Sequence, residues 1–266
     1  MATIRAGDLE VWYEARGAGP PLVCLHGATS SGEADFRAQL PSLTTAFRVF
    51  LPDARGHGRT REDPGAGFHA EGLVDDLEHL LDALGLATVH LLGFSMGGHT
   101  ALAFAARWPD RVRTLVIAGF SPEREPRASI VRKVLDPERI ERTDPAWAAR
   151  LAKRHDPGRG AGSWRRLLPA IADDVATQPL LTARALRSIT APTLVVSGDR
   201  DPFVPVGQAW QLSRQVVDGR LLVAPRCGHE VMSEGPAVVN EALAGFYRST
   251  ETMAVARAAP HPEVSA

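Results

Sequence analysis

The sequence predicts an α/β fold, a mostly parallel sheet with helices on both faces and a small helical cap inserted at about residues 121–188. Three observations predict it. Short runs rich in Val, Leu and Phe alternate with helix-like segments from near the start to about residue 248, the pattern of repeated βαβ units. Most of these runs are continuously apolar, as strands are when helices cover both faces of their sheet. The alternation lapses once, between about residues 121 and 188, where Arg, Ala, Trp and Leu replace strand residues.

In chain order, residues 9–14 (LEVWYE) alternate and read as a half-exposed strand at a sheet edge. Residues 21–25 (PLVCL) and 47–51 (FRVFL) are the next strands. A helix is expected over 70–84, where Leu73, Leu77, Leu80, Leu81 and Leu84 share one stripe and Gly85 stops it. A strand at 88–92 (TVHLL) leads into a helix over 96–107. Strands at 113–118, 192–197 and 220–224 complete the sheet, and a helix over 234–248 closes it. Within the cap, 145–155 and 163–175 are the clearest helices. Residues 1–120 and 189–249 therefore form the core, and 250–266, without periodicity, read as a flexible tail.

Composition narrows the function. At 266 residues the chain is long enough for one large α/β domain, and 44% hydrophobic with 23% charged residues is ordinary for a globular protein. A formal net charge of -1 argues against nucleic acid or an anionic membrane as partner. The first ten residues carry charges where a signal peptide needs an apolar run, and no stretch is long enough to span a membrane. A cytoplasmic location and a small-molecule partner are expected; oligomeric state is not readable from composition. Cys24 and Cys227 form neither a disulfide framework nor a metal cluster, and Cys24 reads as a buried thiol. No Gly-rich phosphate fingerprint or HExxH motif occurs, so neither cofactor nor metal is expected.

The chemistry is concentrated in Gly93-Phe94-Ser95-Met96-Gly97, directly after a strand and before a helix. A serine on such a sharp turn exposes its hydroxyl, and small residues two positions either side let the turn close. Serine needs a base, and the base needs an orienting acid. Residues 193–205 (TLVVSGDRDPFVP) place two aspartates just past a strand; Asp201 is the expected acid and Asp199 the alternative, which would brace the loop. His229, after Gly228 in the loop past the last strand, is the expected base. An oxyanion hole is assigned to the backbone N–H groups of Met96 and Ala28, the latter in His26-Gly27-Ala28-Thr29-Ser30, with His26 holding the loop.

His26-Gly27, Asp53 through Gly58, the Ser95 pentapeptide, Asp201 and Gly228-His229 together resemble the α/β-hydrolase superfamily over about residues 8–248. Within it, Ser31 through Phe36 and the small cap resemble the valacyclovir hydrolase-like (biphenyl hydrolase-like) esterases. Those enzymes carry an acidic residue after the nucleophile to hold a substrate amino group, where this chain has Met96. The resemblance implies a serine hydrolase acting on a small-molecule ester. A lactonase, a C–C bond hydrolase, a perhydrolase and a non-catalytic ligand receptor are the alternatives on the same scaffold. The cap holds 14 Arg and Lys against 9 Asp and Glu, which is read as solvated helix faces before any steering of acidic substrates. Trp147, Trp164, Leu167, Leu168 and Ile171 either line an acyl pocket or pack the cap.

Overall fold

The computed structural model describes residues 1–63, 68–157 and 159–258. Its sheet contains β1 (Ala2–Ala6), β2 (Leu9–Arg16), β3 (Pro21–Leu25), β4 (Arg48–Pro52), β5 (Arg61–Glu62), β6 (Val89–Phe94), β7 (Val112–Ala118), β8 (Thr193–Gly198) and β9 (Gly219–Ala224). Their spatial order is β1-β2-β4-β3-β6-β7-β8-β9, with the short β5 paired to β2. The pairs β1–β2 and β2–β4 are antiparallel, and every pair from β4–β3 to β8–β9 is parallel.

The parallel strands are continuously apolar because each face meets a separate core. Leu91, Leu115, Ile117 and Val195 point into one cluster, with Val74, Leu77, Leu102, Phe104 and Leu212. Their strand neighbours Leu92, Val116, Ala118 and Val196 point into the other, with Phe36, Leu40, Val239 and Leu243. The period-2 geometry of a strand persists; only its polar half has been replaced. Each such buried Val or Leu contributes roughly 1.5–3 kcal/mol. The first cluster packs beneath α3 (Ala70–Ala83), α4 (Met96–Arg107) and α10 (Val206–Gln215). The second packs against α1 (Gly32–Phe36), α2 (Leu40–Leu43) and α12 (Pro236–Ala258). Cys24 is fully buried there, and desolvation pushes its thiol far above the usual range.

Among the described residues, five helices lie between β7 and β8: α5 (Arg127–Val134), α6 (Pro137–Thr143), α7 (Pro145–His155), α8 (Ser163–Thr177) and α9 (Ala183–Arg187). Asp136 and Asp144 cap α6 and α7 through backbone N–H groups, each followed by a proline at the first helical position. The helices enclose a core of their own, including Val131, Leu151, Trp164, Leu168 and Ile171. Helix α7 is tied to the sheet's loops: the Gly58 N–H donates to His155 Nδ1 at 3.2 Å, and Arg154 donates to the Thr29 carbonyl.

Two expectations need correction. The strand at residues 9–14 is not the edge, because β1 pairs outside it. The helix expected over 234–248 breaks at Gly235 into α11 (Val231–Glu234) and α12. Helix α12 continues to Ala258, into the segment expected as a tail from Thr250. Phe246 and Tyr247 anchor that helix, the Tyr247 ring lying 4.7 Å from Phe47. The rest of that expected tail, 259–266, lies outside the described residues. No helix among the described residues is long and apolar enough to cross a membrane.

Candidate active site

Strand β6 ends at Phe94 and α4 begins at Met96, so Ser95 alone makes the turn. Its φ of 51° and ψ of -112° lie where a side chain is rarely found, at a cost of about 1–3 kcal/mol. The Ser95 N–H donates to the Ala118 carbonyl at 2.8 Å, which ties the turn to the end of β7. Close approach explains the flanking glycines. A Cβ on Gly93 would lie 2.2 Å from the Gly97 carbonyl oxygen, and one on Gly97 would lie 2.0 Å from that of Leu25. Gly97→Ala is therefore expected to cost more than about 3 kcal/mol or to prevent folding, since the obstruction is backbone. Gly245→Ala, on α12 with nothing within 4 Å of the new Cβ, should instead stabilise by about 0.5–1 kcal/mol. Urea titrations of the two variants check the contrast; equal midpoints would contradict it.

Asp201 and His229 reach the serine from the loops after β8 and β9. His229 Nδ1 lies 2.8 Å from Asp201 Oδ2, and His229 Nε2 lies 3.0 Å from Ser95 Oγ. The carboxylate partner assigns the imidazole proton to Nδ1, leaving the Nε2 lone pair facing the serine hydroxyl. The Asp201 side chain has no solvent exposure, and its other oxygen accepts the N–H groups of Phe203 and Val204 at 2.8 and 3.1 Å. Phe203 and Phe94 also confine the imidazole, with ring centroids 4.5 and 5.4 Å away. Asp199 has a different partner, accepting the Cys227 N–H at 3.1 Å while the Arg200 N–H donates to the Cys227 carbonyl at 2.9 Å. It thus braces the loop that carries His229.

The loop after β3 is held from several sides. Burial pushes His26 down to about 4, so the ring is neutral. It lies 2.8 Å from the Gly27 carbonyl through Nδ1 and accepts the Ala54 N–H at 2.9 Å through Nε2. The Gly27 N–H donates to Asp35 at 2.8 Å. Because the Gly27 carbonyl faces His26 and Ser30, the N–H across the same trans peptide, that of Ala28, points the opposite way. Among the described residues neither the Ala28 nor the Met96 N–H donates to another backbone carbonyl, and both residues line the same cavity as Ser95.

That cavity measures about 520 Å³ and runs between the strand ends and the cap. Trp147 and Ile171 reach it, whereas Trp164 and Leu168 are spent on packing the cap. Its polar residues include Asp35, His99, Arg127, Arg154, Asp174 and Glu230, none of which sequence reasoning selected. Burial raises the carboxyls of Asp35 and Glu230, and Asp35 raises Glu230 further. Among the described residues no group of three or more His, Cys, Asp or Glu is placed to hold a metal ion.

The comparisons agree with this architecture. The family described as Alpha/beta hydrolase family matches residues 22–242. The 2-hydroxy-6-oxo-2,4-heptadienoate hydrolase of Pseudomonas putida is 32% identical, over 87% of this chain and 90% of that protein. The 2-hydroxymuconate semialdehyde hydrolase of a Pseudomonas species is 28% identical, over 90% of each. Among solved structures, a thermophilic esterase from Thermogutta terrifontis, with malate bound, superposes with a TM-score of 0.75 at 26% identity, covering 94% of this chain and 98% of that one. The matched span runs from β3 through the Ser95 turn and past His229 into α12, and the chain belongs to the alpha/beta hydrolase family.

Proposed function

We propose that the protein is a serine hydrolase that cleaves carboxylic esters of small molecules through an acyl-enzyme on Ser95. The continuous chain from Asp201 through His229 to Ser95, with spacings of 2.8 and 3.0 Å, carries this reading. Ser95 Oγ attacks the ester carbonyl as its proton passes to His229 Nε2, and Asp201 stabilises the resulting imidazolium. The N–H groups of Met96 and Ala28 receive the oxyanion, a contribution of about 2.7–4 kcal/mol for a single such donor. His229 then returns the proton to the departing alcohol, and a water activated by the same imidazole releases the acid. No cofactor enters this scheme, and the small-molecule partner and cytoplasmic location inferred from the sequence fit it.

A second reading, hydrolysis of a C–C bond next to a ketone, is favoured by the Pseudomonas putida relative, named for a 2-hydroxy-6-oxo-dienoate. The same nucleophile and oxyanion site would serve it. The resemblance to valacyclovir hydrolase-like esterases adds no amino-acid ester preference, because Met96 offers no charge to an ammonium group.

Two substrates separate the readings. The purified protein is expected to release p-nitrophenolate from p-nitrophenyl butyrate with a kcat/KM at least tenfold above that for 2-hydroxy-6-oxo-2,4-heptadienoate, followed by loss of the dienoate's absorbance. A tenfold preference for the dienoate would install the second reading. Turnover of neither by folded protein would overturn both.

A further inference from the structure

Among the described residues, two buried nitrogens of side chains that line the catalytic cavity have no hydrogen-bond partner. Arg127, the first residue of α5, is only 7% exposed, and its Nε makes no hydrogen bond. Its Nη2 donates to the Glu123 carbonyl at a long 3.4 Å. His99 is 9% exposed, and its Nδ1 is likewise unpartnered. The two side chains converge on one ring. The Arg127 guanidinium lies 4.5 Å from the centroid of Phe120, and the His99 ring lies 5.5 Å from it. Both line the cavity that holds Ser95 and His229. His99 is also one helical turn beyond the nucleophile, its N–H donating to the Ser95 carbonyl at 3.1 Å.

A guanidinium cannot discharge by losing its proton under ordinary conditions, so burying one without close pairing is unfavourable. Three other cap arginines are matched: Arg159 with Glu62, Arg165 with Glu141, and Arg124 with the Ala176 and Gln178 carbonyls. Arg154, across the cavity, donates to the Thr29 carbonyl and lies in the field of Asp35 and Glu230. Arg127 feels Asp174 favourably and Arg124 unfavourably, while burial pushes it down to about 10. Burial likewise keeps His99 neutral, at about 4. A neutral imidazole can place its proton on Nδ1 and donate.

We infer that Arg127 and His99 form a carboxylate subsite, which makes the preferred substrates esters that carry an anionic carboxylate away from the scissile carbonyl. The Nε–Nη2 edge of a guanidinium matches the two oxygens of a carboxylate, and an N–H from His99 would add a third donor. The inference deepens the acyl-enzyme reading of Ser95 and rests on it.

The test compares 4-nitrophenyl hemiesters of glutarate and adipate with 4-nitrophenyl pentanoate and hexanoate. The better hemiester is expected to exceed its uncharged partner at least tenfold in kcat/KM. Arg127→Gln should lower that ratio on the order of 10²-fold, with partial recovery in Arg127→Lys. A preference for the uncharged ester at both lengths would overturn the subsite, as would a variant that slows both substrates equally. Binding is read separately, from the rise in melting temperature of wild type in glutarate against glutaramide. A rise with glutarate alone supports the subsite even if turnover fails, in which case the acyl-enzyme reading falls by itself. Equal shifts overturn the subsite, including where Arg127→Gln does not fold.

Discussion

Ser95→Ala is expected to lower kcat on p-nitrophenyl butyrate by about 10⁶-fold, with the melting temperature within a few degrees of wild type. The substitution deletes one oxygen. It leaves the Ser95 N–H to the Ala118 carbonyl intact, as well as the glycines that let the turn close. Alanine meets the same unfavourable φ of 51° as serine, so the variant carries the strain of the turn unchanged. What would remain is binding and the Met96 and Ala28 N–H groups proposed to hold the oxyanion, which by analogy with another serine-hydrolase triad sustain roughly 10³–10⁴-fold over water. Stopped assays at high enzyme concentration measure this residue of activity. A variant within tenfold of wild type would remove Ser95 from the chemistry.

Asp201→Asn is expected to lower kcat by about 10⁴-fold while KM changes little. The amide oxygen of asparagine can still accept the Phe203 and Val204 N–H groups, which holds the side chain in place. Its NH₂ then faces His229 Nδ1 and donates to it. That selects the tautomer with the proton on Nε2, which has no lone pair for the Ser95 hydroxyl. The geometry survives and the base is lost. Asp199→Ala should behave in the opposite way. It removes the acceptor of the Cys227 N–H, lowering stability by about 1–3 kcal/mol and kcat only several-fold. Parallel kinetics and thermal melts of the two variants check the pair. An inactive, well-folded Asp199→Ala beside an active Asp201→Asn would exchange the roles of the two aspartates.

The difference between these aspartates shows where sequence reading reaches its end. Both stand just past a strand in one loop, and spacing alone leaves them close competitors. The backbone donors of Phe203, Val204 and Cys227 separate them, and those depend on how two loops fold together. Ser95 was legible because its turn makes a local demand for small neighbours, visible as Gly93 and Gly97. The parallel strands were legible because helices on both faces require unbroken apolar runs. Strand β1 was not, since Ala2–Ala6 is short and mostly exposed and gains its identity by pairing with β2. Helices α5, α6 and α9 are brief and are stabilised by the cap's own core and by capping residues such as Asp136 and Thr182. Arg127 is one basic residue among 14 in the cap, and nothing in its sequence context says that the fold buries it beside His99.

The acyl-enzyme itself is the most direct object to measure. Wild-type protein quenched in acid during turnover of p-nitrophenyl butyrate, digested and mapped by mass spectrometry, is expected to carry one butyryl group on the peptide containing Ser95. A fluorophosphonate should occupy the same residue stoichiometrically and abolish turnover. An active enzyme with no adduct at Ser95, or with its adduct on another residue, would contradict a serine hydrolase built on Ser95, His229 and Asp201.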